Sequence, residues 1–177
     1  MAQPLVFLLG GTRSGKSGRA LARTRELAGE GRAWVLATAI PGDPELDRRI
    51  ARHRADRPAG WPTVDVGTDL AAALQRTDPA DPVLIEGLTL WLSALVGDDP
   101  LDPDPVLDGP LADALAAIAR RPGPVVIVSD ELGIGLAPMH PGARSFRDLV
   151  GLVHQRVAAQ ADEVELVVAG LPLRLKP

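Results

Sequence analysis

The segment Gly10-Gly-Thr-Arg-Ser-Gly-Lys-Ser17 constrains this chain more than any other stretch. It satisfies G-x-x-x-x-G-K-[ST] in full, after the apolar run Leu5–Leu9 and before a helix-forming stretch from Lys16 to about Ala28. That context predicts a phosphate-binding loop. Gly10, Gly11 and Gly15 let the backbone turn so that the N–H groups around Thr12, Arg13 and Ser14 point inward. Those groups and the helix N-terminus attract phosphate oxygens. Lys16 neutralises the outer phosphates, and the Ser17 hydroxyl is placed to ligate Mg²⁺. The expected nucleotide is GTP or ATP.

The rest of the chain supplies the scaffold such a loop needs. Apolar runs at 33–37, 63–66, 83–86, 125–128, 165–169 and 173–176 alternate with helical periodicity at 45–56, 70–76, 88–96 and 110–121. This predicts an α/β fold, a single RecA-like P-loop domain over residues 1–177 with a mostly parallel sheet flanked by helices. Asp98 to Asp108, with five aspartates and three prolines, reads as a solvated loop. Ser145, three residues before Asp148, reads as the cap of a further helix bearing Phe146, Leu149, Val150, Val153 and Val157 on one face.

Composition removes several function classes. The chain has no cysteine and no tyrosine, so thiolate metal sites and phenolic bases are excluded. Its net charge of -4 and its 3% aromatic content argue against a nucleic-acid-binding module. No stretch approaches the roughly 20 apolar residues of a membrane span, and the N-terminal apolar run is too short for a signal-peptide core. A cytoplasmic enzyme is expected.

A P-loop enzyme also needs an acidic residue at a nearby strand end, because strand C-termini face the ligand crevice in such sheets. Glu86, ending the run Val83–Ile85, is the preferred metal-side carboxylate, with Asp130 or Glu131 as the other candidates. The predicted helix at 45–56 is unusual. Leu46, Ile50, His53 and Arg57 share one face, while five arginines against two aspartates make the segment basic inside an acidic chain. It reads as a solvated basic helix, as an arginine lid over triphosphate, or as the carrier of a nucleophilic His53. An imidazole, with an ordinary pKa near about 6.5, is substantially neutral at pH 7. Surrounding guanidinium groups would discourage its protonation. His140 and His154 read as a loop residue and a helix-surface or core residue.

These motifs together resemble the bifunctional adenosylcobinamide kinase/adenosylcobinamide-phosphate guanylyltransferase family of cobalamin biosynthesis. The similarity runs nearly end to end. It is carried by the P-loop, Leu36-Ala-Thr38, Arg49-Ile-x-x-His53-x-x-x-Arg57-Pro58-x-x-Trp61 and Leu84-Ile-Glu86-Gly-Leu-Thr-Leu-Trp91. Ser129-Asp-Glu-Leu-Gly-Ile-Gly135, Phe146-Arg-Asp148, Gln155-Arg156, Ala161-Asp-Glu163 and Leu166-Val-Val-Ala-Gly170 continue it. The resemblance implies phosphorylation of adenosylcobinamide, then transfer of GMP from GTP to the resulting phosphate through a guanylyl-histidine at His53. It also implies nucleotide contacts from the P-loop, Ala37, Thr38, Ala39, Arg54, Ala55, Asp56, Arg57, Asp65 and Glu86, and a homo-oligomer, specifically a trimer. Some members carry two adjacent histidines where this chain has Arg52 and a lone His53, and Asp65 stands where many have glutamate. A kinase of another small molecule, without guanylylation, is the alternative.

Overall fold

A computed structural model of the chain describes residues 4–42, 44–96 and 102–177. Seven strands form one sheet: β1 (Leu5–Gly10), β2 (Trp34–Ala37), β3 (Thr63–Asp65), β4 (Val83–Glu86), β5 (Val125–Asp130), β6 (Glu163–Val168) and β7 (Leu171–Lys176). Across the sheet their order is β3-β2-β4-β5-β1-β6-β7. Every neighbouring pair is parallel except β6 and β7, an antiparallel hairpin. The expected mostly parallel α/β architecture is therefore the observed one.

The helices are α1 (Lys16–Ala28), α2 (Pro44–Asp56), α3 (Leu70–Gln75), α4 (Leu88–Leu95), α5 (Asp104–Asp108), α6 (Pro110–Ala119) and α7 (Pro141–Gln160). Strand alternation divides the core. Phe7, Ile85 and Ile127 join Trp91, Leu111, Leu149 and Val153 on one face. Val6, Leu8, Leu84, Val126 and Val128 pack with Ala20 and Leu21 of α1 on the other. Both faces of the central strands are dry, which is why they read as unbroken apolar runs.

Two sequence expectations are corrected. Of the supposed loop Asp98–Asp108, residues 98–101 lie outside the described residues, but Asp104–Asp108 is a short helix that buries Val106 and Leu107. Two apolar residues inserted into the core outweigh the local excess of proline and aspartate. Ser145 does not cap a helix either. α7 starts one turn earlier, with Pro141 in its first turn and His140 at the N-cap, and the Ser145 hydroxyl donates back to the Pro141 carbonyl at 3.2 Å. Proline's fixed φ and missing N–H suit a helix start better than the capping-box spacing does.

Candidate active site

The P-loop joins β1 to α1, and its glycines are dictated by close approach. A Cβ on Gly10 would lie 2.8 Å from the Val167 carbonyl oxygen and nearer still to the Ser14 hydroxyl. Gly15 stands at the N-cap of α1 with φ 93°, a left-handed conformation costly for other residues. The loop is also held from outside, because the Gly170 N–H in the β6–β7 turn donates to the Ser14 carbonyl at 2.8 Å. Within this frame Lys16 is buried, donating to the Gly11 carbonyl at 3.1 Å and pairing with Asp130 Oδ1 at 2.6 Å. The Ser17 side chain is half-buried and makes no hydrogen bond to a described residue.

Opposite the loop stands α2, which contains no fully buried residue. Leu46, Ile50 and His53 are its half-buried positions; with Arg57, just past its end, they form the face read from the sequence, and all four line the cleft. What anchors this face is Glu86 at the end of β4. Its Oε1 lies 2.8 Å from His53 Nδ1, and its Oε2 accepts from Arg57, which also donates to the Thr63 hydroxyl at 3.0 Å. Burial pushes the Glu86 carboxyl up, but the hydrogen bond with His53 and the charge of Arg57 outweigh it, leaving the group below its ordinary value and ionised. An ionised carboxylate only accepts. His53 Nδ1 is therefore the donor to Glu86, and in the neutral ring that leaves the lone pair on Nε2.

Arg49, Arg54 and Arg57 line the cleft beside His53, but none of them is hydrogen-bonded to its ring. Arg48, Arg49, Arg52 and Arg54 are exposed, and the group bonded to the ring is a carboxylate. A helix with one half-buried face turns its remaining charges to solvent.

An open cleft lies between Lys16, His53, Glu86 and Asp130. Ser17, Ala37, Thr38, Ala39, Arg54 and Arg57 also line it. Thr12, Arg13, Ser14 and Gly15 line an adjoining outer pocket that Lys16, Ser17 and His53 share. Ala55, Asp56 and Asp65 are exposed and line neither; Asp65 only approaches Arg54, at 3.8 Å.

Sequence reasoning missed a buried polar chain under the cleft floor. The Asp130 N–H donates to Thr89 Oγ1 at 2.9 Å, Thr89 and Ser129 hydroxyls meet at 2.9 Å, and Ser129 Oγ meets His154 Nε2 at 2.8 Å. Thr89 accepts from the backbone, and the two hydroxyls carry the chain on to the His154 ring. Burial pushes His154 below its ordinary value despite Glu131 and Asp130 nearby, so the ring stays neutral and can accept. The available signal was a serine and a threonine at otherwise apolar core positions. The Glu131 carboxylate is turned to the Gly133 N–H, away from the cleft.

For Mg²⁺ the donor set fits. Among the described residues no cluster of three His, Cys, Asp or Glu side chains could cage a metal. A hydroxyl and one carboxylate are what this ion takes when phosphates and water complete its shell. No described helix is long and apolar enough to cross a membrane.

With the cleft laid out, comparison with known proteins is decisive. Residues 6–175 match the family described as cobinamide kinase / cobinamide phosphate guanyltransferase. The chain belongs to that family. It is thus an enzyme of the kinase and nucleotidyltransferase type that the family describes. Similar curated members are the bifunctional adenosylcobalamin biosynthesis proteins CobP of Pseudomonas aeruginosa, 42% identical over 96% of each chain, and CobU of Salmonella typhimurium, 36% identical. The Salmonella match covers 97% of this chain and 99% of its relative. CobU of Escherichia coli is 34% identical, again over 97% and 99%. Among solved structures, an ATPase domain superposes with a TM-score of 0.51 at 12% identity, covering 93% of this chain and 69% of the other. That likeness concerns the fold alone.

Proposed function

We propose that the chain phosphorylates adenosylcobinamide and then transfers GMP from GTP to adenosylcobinamide phosphate through a guanylyl-histidine at His53, giving adenosylcobinamide-GDP. The observation that carries this reading is the Glu86 to His53 Nδ1 bond at 2.8 Å. In the neutral ring it leaves the lone pair on Nε2, and that ring lines the same cleft as Lys16. The arrangement is that of a nucleophile activated by an orienting acid.

In the guanylyl half-reaction Nε2 attacks the α-phosphorus. The N–P bond forms, the bridging P–O bond breaks, and its electron pair leaves on pyrophosphate, whose charge Lys16 neutralises. An oxygen of the acceptor phosphate then attacks the same phosphorus, and the N–P bonding pair returns to the ring. Glu86 supports the charge the ring gains while guanylylated. Because both Glu86 oxygens are engaged by His53 and Arg57, we assign the metal side to Ser17 and Asp130 rather than to Glu86. Bound there, Mg²⁺ would neutralise phosphate charge and align the leaving group. Thr38, whose hydroxyl donates to the carbonyls of Glu86 and Gly87 at 2.7 Å each, keeps the strand end that presents Glu86 in place. Ala37 and Ala39, small residues on the cleft wall, leave room for the nucleoside.

GTP labelled at the α-phosphate tests the reading. Protein-bound label that is acid-labile and alkali-stable, and absent in His53→Ala, is expected. If wild-type protein retains no label while phosphorylating a small acceptor, it is a simple kinase and the guanylyl-histidine reading fails.

A further inference from the structure

Five residues line both the cleft and the outer pocket: Lys16, Ser17, Leu46, Arg49 and His53. The phosphates of a nucleotide held by the P-loop must pass this junction. Lys16, Ser17 and His53 already have roles there, and Leu46 is apolar. Arg49 is the cation left over.

The other arginines of α2, and Arg57 just after it, are spent or misplaced. Arg57 is committed to Glu86 and Thr63. Arg54 leans toward Asp65 at 3.8 Å. Arg48 and Arg52 reach only the outer pocket. The Arg49 guanidinium pairs with no described residue. It stands one helical turn before His53, and side chains spaced i, i+4 lie over the same face. An unpaired guanidinium beside a nucleophile, on the border of two hollows, is matched to the forked geometry of phosphate oxygens.

We propose that Arg49 is a catalytic residue of the guanylyl transfer, binding the non-bridging oxygens of the α-phosphate while the His53 N–P bond forms and again while it breaks. This rests on the guanylyl-histidine reading above. Lys16 sits in the P-loop and answers the charge that accumulates on departing pyrophosphate. A second cation is needed at the α-phosphorus, which in the second step is approached by an already anionic acceptor. Arg49 lowers that repulsion without forming a bond of its own.

The test is single-turnover labelling at saturating α-labelled GTP, with GTP affinity measured separately by calorimetry. Arg49→Gln, at an exposed position, is expected to slow label transfer to His53 about 100-fold, the usual scale for losing one transition-state donor. GTP affinity should fall by less than about 10-fold, and Arg49→Lys should restore part of the rate because it restores charge but not the fork. Wild-type rates in Arg49→Gln would overturn the inference and leave the guanylyl-histidine intact. A loss confined to affinity, with the saturated rate unchanged, would make Arg49 a ground-state binding group and also overturn it. Failure of wild-type protein to label at all would sink both readings together.

Discussion

Glu86 holds His53 of α2 and Arg57 just after it with its two oxygens, so its removal should be felt in chemistry before it is felt in binding. We expect Glu86→Gln to retain GTP affinity yet slow His53 labelling by roughly 100-fold, the scale of a lost acid–base partner. A carboxamide can present its N–H to Nδ1, which would move the ring proton to Nε2 and block the attacking lone pair. Single-turnover labelling checks this. His154 supports a pH prediction. Its folded pKa is depressed, so between that value and the unfolded value of about 6.5 the unfolded chain binds more protons. Stability therefore falls as pH drops below about 6.5, and His154→Gln should flatten that part of the melting-temperature profile.

At the scale of elements, α2 differs from the other helices. It buries no residue fully, and its ties to the sheet are polar, from His53 and Arg57 to Glu86 and from Arg57 to Thr63. We expect Glu86→Gln to raise amide exchange across 44–56 while the central strands stay protected, as hydrogen–deuterium exchange would report. Much of this level was legible beforehand. The central strands announced themselves because a sheet buried on both faces leaves no room for polar alternation. The α2 face was legible because Leu46, Ile50, His53 and Arg57 keep helical spacing. The beginning of α7 was misread because a local serine–aspartate spacing competes with a proline one turn earlier. The helix at Asp104–Asp108 was missed because only tertiary burial of Val106 and Leu107 explains it. In the site, the pairing of Glu86 with His53 joins positions far apart in the chain, and no local pattern encodes such a meeting. The exposed positions of Ala55, Asp56 and Asp65 have the same origin: family motifs mark neighbourhoods, whereas side-chain direction depends on packing.

Over the whole molecule, the antiparallel hairpin leaves an apolar stripe at one margin of the sheet. Leu171, Leu173 and Leu175 alternate along β7 and are 72%, 58% and 56% exposed. We propose that a second copy of the chain covers this stripe, and expect Leu173→Glu to reduce the molar mass measured by light scattering without altering His53 labelling per chain. Equal mass for variant and wild type would overturn this proposal. The same hairpin has a temporal consequence. β1 lies between β5 and β6, and the loop that follows it is tied down by Gly170. β1 therefore gains its neighbours only from Val125–Asp130 and Glu163–Val168, far along the chain, a high-contact-order arrangement that slows assembly. The glycine-rich turn is written in one short stretch of sequence, yet its shape is held only once strands distant in the chain have paired on both sides of β1 and Gly170 has reached Ser14.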